Sequence, residues 1–206
     1  MTTLPLLWGE AADVGELLAA NGAVGWVRGE IEVRYTIEPL DTLDPAALAR
    51  LDRLMLAQPR ALSPDENVAL DAWVRGGGKL LLFADPMLTR HSRYPVGDRR
   101  RPQDVVLLSP ILAHWGLALR FDGAQPEGEQ LFEIEGVRVP ANLPGSLALI
   151  DGTSCTLAAR GFMARCGLGK GSVTVVADAA VLDDPENADF GPRKDALAGL
   201  LALAID

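Results

Sequence analysis

The stretch Ser63 to Ala84 constrains what this chain can fold into more than any other. Ser63-Pro64-Asp65-Glu66 supplies an N-cap, a proline at the first helical position and, three residues after the cap, a glutamate able to reach back to the cap amide. Such a cap stabilises a helix by ~1 kcal/mol. Val68, Leu70, Ala72, Trp73 and Val74 carry the helix to Gly76-Gly77-Gly78, where glycine can adopt the left-handed conformation that ends it. Lys79 to Ala84 (KLLLFA) then has the unbroken apolar character of a strand buried on both faces. A brief apolar run, Arg53 to Ala57 (RLMLA), precedes the helix and stops at Gln58-Pro59. Strand, helix, strand is a βαβ crossover.

Elsewhere the signals are shorter. Leu4 to Trp8 reads as a strand ending at Gly9, Asp13 to Ala20 as a helix, and Glu32 to Glu38 (EVRYTIE) as an alternating strand. Asp44-Pro45 opens a short helix through Leu51. No period survives from Asp85 to Asp104, which is a long loop. Val105 to Trp115 resumes helical spacing, and strands are expected at Leu117–Phe121, Gln130–Ile134, Val137–Pro140 and Leu147–Ile150. Thr156–Ala159 and Met163–Cys166 form a hairpin around Arg160-Gly161. Ser172 to Ala177 is a buried strand, Asp178 to Phe190 a loop, and Arg193 to Ile205 a closing amphipathic helix. The expected architecture is α/β: a mostly parallel sheet with helices on both faces and an antiparallel β extension from the middle third.

At 206 residues one domain is the expectation, 1–206, with a β-rich insertion over roughly 117–166. A hydrophobic fraction of 49% supports a full core over most of the length. With 19 basic against 28 acidic residues the net charge is −9, which repels a phosphate backbone and argues against nucleic acid as a partner. No run approaches the ~20 apolar residues a membrane span needs. An apolar strand so close to the first residue leaves an upstream leader or anchor open.

In open α/β sheets, ligands gather beyond the carboxyl ends of the strands. Glu10, Gln58, Asp85 and Asp178 are expected there. Converging carboxylates could bind a divalent cation or do acid-base work; alternatively each aspartate caps the turn that follows it. Both readings stay open. A second concentration is basic: Arg90, His91, Arg93, Arg99, Arg100 and Arg101 lie within a dozen positions of an otherwise acidic chain. They suit a carboxylate, a phosphate or an acidic partner surface, or else they pair with neighbouring acids. Gly167-Leu168-Gly169-Lys170-Gly171-Ser172 is not a phosphate loop, because glycine follows the lysine and a strand follows the glycines. With two histidines, His91 and His114, and no nucleophile elbow, no nucleophile-base pair is recognisable; no cofactor or metal is expected. If the hairpin turns at Arg160-Gly161, Cys155 falls opposite Cys166, a register that permits a disulfide and would imply an oxidising compartment. Two buried free thiols are the alternative.

LSPDENVALDAWVRGGGKLLLFADP together with GLGKGSVTVVADAAVLDD resembles the glutamine amidotransferase-like domain of GldG-type gliding-motility auxiliary proteins and their intraflagellar-transport relatives. The resemblance spans Leu4 to the last helix. It implies a flavodoxin-like core related to class I glutamine amidotransferases but without the catalytic cysteine, Asp85-Pro86 occupying the turn after the Lys79–Ala84 strand. It further implies a non-catalytic binding or scaffolding role, ABC-transporter components or another envelope protein as partners, and an extracytoplasmic (periplasmic) position reached through an anchor outside this chain. A cytoplasmic position, a small anionic ligand, and a hydrolase or transferase acting through Glu10, Asp85 and Asp178 stand beside these expectations.

Overall fold

The computed structural model describes residues 1–8, 10, 25–150, 152–185 and 188–206. The helix expected over Asp13–Ala20 falls outside them. Helices are α1 (Trp26–Glu32), α2 (Pro45–Leu48), α3 (Pro64–Gly76), α4 (Ser109–His114) and α5 (Gly191–Ile205). Strands are β1 (Arg53–Ala57), β2 (Lys79–Phe83), β3 (Leu117–Arg120), β4 (Glu129–Ile134), β5 (Val137–Asn142), β6 (Ser146–Leu149), β7 (Cys155–Ala158), β8 (Met163–Leu168) and β9 (Gly171–Val176).

The main sheet runs β1-β2-β9-β8-β7. β1, β2 and β9 are parallel, and β8 and β7 extend the sheet antiparallel. β3 pairs with β6 and β4 with β5 in two separate antiparallel ribbons. The class is therefore mixed α/β, with its antiparallel strands drawn from residues 117–168, which reach past the middle third into the last. β2 is buried from Leu80 to Phe83, and burying each such side chain stabilises by roughly 1.5–3 kcal/mol. The two faces of the sheet carry separate cores. Leu54, Leu56, Leu80 and Leu82 pack with Leu70 and Val74 of α3 on one side; Ala57, Leu81 and Phe83 pack with Leu197, Leu200 and Leu201 of α5 on the other.

The capping box forms as its sequence requires. Ser63 Oγ accepts from the Glu66 amide at 3.2 Å, and Glu66 Oε2 accepts from the Ser63 amide at 2.9 Å. Glu66 does more than cap. Its carboxylate also accepts from the Leu43 amide at 3.1 Å and takes both terminal nitrogens of Arg60, at 2.7 and 2.8 Å. The Arg60 guanidinium, with the two backbone amides, holds Glu66 down to about 2 despite burial.

Three expectations are corrected. Leu4–Trp8 is not a strand: Leu4 and Leu6 are buried, but the chain turns there, and pairing is limited to a parallel bridge between Thr2 and Ala57. Glu32–Glu38 is not a strand either, because α1 runs to Glu32 and the following residues lie outside every sheet. The helix expected from Val105 starts only at Ser109, where Pro110 fits its first turn.

Cys155 stands directly opposite Cys166 in the β7–β8 register, with a Cα–Cα distance of 4.0 Å, and the two sulfurs are bonded. The turn that sets this register places Ala159, Arg160 and Gly161 at positive φ. Closing so short a loop stabilises by ~3 kcal/mol in the chain-entropy account. Replacing both cysteines by alanine is expected to lower unfolding free energy by about that amount in a denaturant titration, and a reductant is expected to have the same effect on the unmodified chain.

Candidate functional site

The carboxyl ends of β1, β2 and β9 bring Gln58, Asp85 and Asp178 to one rim, all buried. Gln58 takes a left-handed backbone (φ 43°) that turns its side chain back across the rim. Its Nε2 donates to the carbonyls of Asp85 (3.0 Å) and Gln103 (2.8 Å), and its Oε1 accepts from the Asp85 amide (2.9 Å). It thus ties the end of β1 to β2 and to the long loop.

Each aspartate is occupied in the same way. Asp85 accepts from the Met87 amide at 2.8 Å and, across to the end of β9, from the Ala179 amide at 3.2 Å. Asp178 accepts from the Ala180 amide at 2.6 Å and from the Asn142 amide at the end of β5, 3.1 Å away. Each carboxylate caps its own turn with one oxygen and grips a neighbouring segment with the other. Of the two readings of these acids, capping is what the geometry displays. Desolvation nevertheless outweighs the amides: Asp85 is pushed up to about 7, and Asp178 well above the ordinary range by burial and by the Asp85 charge. Two such acids titrate as one unit. Asp183 is also raised by burial, which the adjacent Arg90 guanidinium opposes.

Glu10, expected at the same rim, is elsewhere, because the strand expected to lead to it does not form. Its Oε2 accepts from the Arg93 amide at 2.9 Å, and its buried Oε1 has no hydrogen-bond partner among the described residues. Glu10, Trp26, Arg90, His91, Arg93 and Asp184 line a cavity of about 290 Å3 that neither Asp85 nor Asp178 reaches. Arg90 is bound to Asp183 at 3.0 Å and approaches Asp184 at 4.0 Å. Arg99, Arg100 and Arg101 do not line this cavity. Arg100 pairs with Asp98 at 2.8 Å and lies over the Tyr94 ring, 4.3 Å from its centre. Arg101 pairs with Asp104 at 2.9 Å, while the exposed Arg99 has no ion pair among the described residues. The basic stretch therefore divides into a cavity half, Arg90 to Arg93, and a half outside the cavity in which Arg100 and Arg101 are paired locally.

Sequence reasoning missed Arg193, a buried cation on α5 whose guanidinium donates to the Ala180 carbonyl and, at 2.5 Å, to Glu129. A lone arginine at the start of an amphipathic helix gives no signal of this. His114 lies 3.3 Å from Asp71, which also binds Arg75 and the Trp115 indole. Among the described residues no three His, Cys, Asp or Glu side chains converge as a metal-binding set.

These features define an α/β domain whose strand-end acids bind backbone rather than standing free. Residues 25–125 match the family described as ABC-type uncharacterized transport system, so over that segment the resemblance to ABC-transport auxiliary domains holds. No curated protein matches the sequence. Among solved structures, the chain is similar to the exo-beta-1,4-mannosidase Op5Man5 from Opitutaceae bacterium strain TAV5 (16% identity, TM-score 0.53, covering 82% of this chain and 27% of that one). It is also similar to a cold-adapted beta-galactosidase from Rahnella sp. R3 (12% identity, TM-score 0.53, covering 93% and 27%). This chain spans about a quarter of the length of those glycosidases, and the likeness is one of fold.

Proposed function

We propose that this chain is a non-catalytic binding or scaffolding domain of an ABC-transport-associated envelope protein of the GldG kind, with transporter components or another envelope protein as its partners. The observation that carries this reading is that each carboxylate oxygen of Asp85 and Asp178 accepts from a backbone amide, which makes the strand ends a built rim. A hydrolase or transferase using Glu10 with these two acids is disfavoured, since Glu10 lines a cavity that neither of them lines. The core fits a flavodoxin-like, glutamine amidotransferase-like domain, residues 1–206, lacking the catalytic cysteine; both cysteines of the chain lie in the disulfide. That disulfide supports an extracytoplasmic position, where thiols are oxidised. Among the described residues no helix is long and apolar enough to cross a membrane.

The contact surface in this reading is the cavity of Glu10, Arg90, His91 and Arg93 with the adjoining Arg99, Arg100 and Arg101. Guanidinium groups bind carboxylate or phosphate in a bidentate manner, so a small anionic group or an acidic partner surface suits them. Changing Arg99, Arg100 and Arg101 together to alanine is expected to weaken capture of the purified ABC permease–ATPase complex at least tenfold while leaving the melting temperature nearly unchanged. Unaltered capture would remove the loop from the contact surface.

A further inference from the structure

A buried polar atom without a partner is unfavourable, and a buried charge more so, which makes such atoms a call for something that binds them. Two of them line one cavity. Glu10 Oε2 accepts from the Arg93 amide at 2.9 Å, which holds the carboxylate against the long loop, while Glu10 Oε1 is buried with no hydrogen-bond partner among the described residues. The Trp26 indole Nε1–H is buried and unpartnered there in the same way, its ring lying against Phe190 with centroids 5.8 Å apart. Both side chains line the cavity of about 290 Å3 that also takes in Arg90, His91 and Arg93. That volume is at the small end of the roughly 300–1,000 Å3 of small-molecule sites and well above the ~30 Å3 share of one water. Arg90 is already committed, to Asp183 at 3.0 Å and to the Leu182 carbonyl at 3.4 Å. His91 and Arg93 are exposed and form the solvent side. Leu6, Val27 and Leu182, all buried, supply an apolar wall.

We propose that this cavity binds a small zwitterion, a molecule with an ammonium and a carboxylate on one carbon and a short apolar chain, as in an aliphatic amino acid. The two unmet atoms are of opposite sense, a charged acceptor and a donor. An acid alone would leave Glu10 Oε1 unmet, and an amine alone would leave the Trp26 donor unmet. In the zwitterion the ammonium meets Glu10 Oε1 in a charge-assisted bond, and the carboxylate accepts from the Trp26 indole on the side of His91 and Arg93. The apolar chain lies against Leu6, Val27 and Leu182. Charges of both signs in the lining, Glu10 and Asp184 with Arg90 and Arg93, suit a ligand of no net charge. The proposal rests on the reading of this cavity as a contact surface and specifies its occupant.

The test is a titration of the isotopically labelled full chain with L-leucine, read at the indole N–H resonance of Trp26. A saturable shift of that resonance is expected. Isocaproate, which is leucine without its ammonium, and isopentylamine, which is leucine without its carboxylate, are each expected to bind at least tenfold more weakly. Glu10→Gln keeps the shape of the acceptor and removes its charge; it is expected to weaken leucine at least tenfold and isocaproate not at all. Isocaproate binding as tightly as leucine to the unaltered chain would overturn the zwitterion and leave an anion site. No shift with any of the three would overturn the proposal outright, with water alone filling the cavity. Capture of the purified permease–ATPase complex, measured on the same preparation, separates the two readings: capture that persists without leucine binding sinks the occupant and spares the contact surface.

Discussion

Gly171→Ala is expected to destabilise the chain by at least about 3 kcal/mol, seen as a fall in melting temperature of roughly 6–12 °C for a chain of this size. A Cβ at this position would lie 2.1 Å from the Val74 carbonyl oxygen and 2.2 Å from that of Gly78. Both atoms belong to the backbone that ends α3, where Gly77 at φ 130° accepts the helix terminus and Gly78 lies against the Trp73 ring. Neither can move aside as a side chain could. The β8–β9 turn is fastened to the same place: the Lys170 amide donates to the Arg75 carbonyl and the Ser172 amide to that of Gly78. Gly167 provides the control, since a Cβ there meets nothing within 4 Å; Gly167→Ala is expected to change stability by less than about 0.5 kcal/mol. This contrast explains the glycine-rich run in physical terms. Gly169 and Gly171 allow one turn to approach a helix end, and the lysine between them is incidental.

The second large effect is on pH dependence. Asp85 and Asp178 both have folded-state pKa values above those of the unfolded chain. The folded protein therefore binds more protons than the unfolded one between those values. Their contribution to stability is fully present below about 4 and is lost as pH rises through their folded values, that of Asp85 being near 7. Unfolding free energy is expected to fall between pH 5 and pH 8, Asp85 contributing about 3 kcal/mol over the two units from 5 to its folded value near 7. Below pH 4 the opposite trend sets in, because Glu66 is held down to about 2 by its Arg60 pair and must be protonated there. Asp178→Asn removes one charge of the repelling pair and is expected to flatten the fall between pH 5 and pH 8 in denaturant titrations. A wild-type profile that rises over that range would refute the assignment.

Much of the fold was legible because its signals are local. The capping box, the glycine stop and the KLLLFA strand each depend on a few neighbouring residues, and the Cys155–Cys166 register followed from locating one turn. Leu4–Trp8 and Glu32–Glu38 misled for a common reason: an apolar run or an alternating one reports which side chains are covered, not whether the backbone has a strand to pair with. Tyr35 and Ile37 do alternate inward, yet no ladder receives them. The rim acids could be named from sequence since each follows an apolar strand. Their use could not, because the amides they bind on neighbouring segments, at Asn142 and Ala179, become neighbours only through tertiary structure. Glu10 was misplaced with its strand, and the division of the arginines depended on Asp98 and Asp104 lying within reach of Arg100 and Arg101.

Native-state hydrogen exchange at the amides of Met87, Asn142, Ala179 and Ala180 asks most directly whether the rim carboxylates hold backbone. Exchange limited by global unfolding at all four is the expected result, with Asp85→Asn accelerating Met87 and Ala179 and Asp178→Asn accelerating Asn142 and Ala180. Rapid exchange at these amides in the unaltered chain would mean that the carboxylates stand free for chemistry, and would contradict their role as clamps on the backbone.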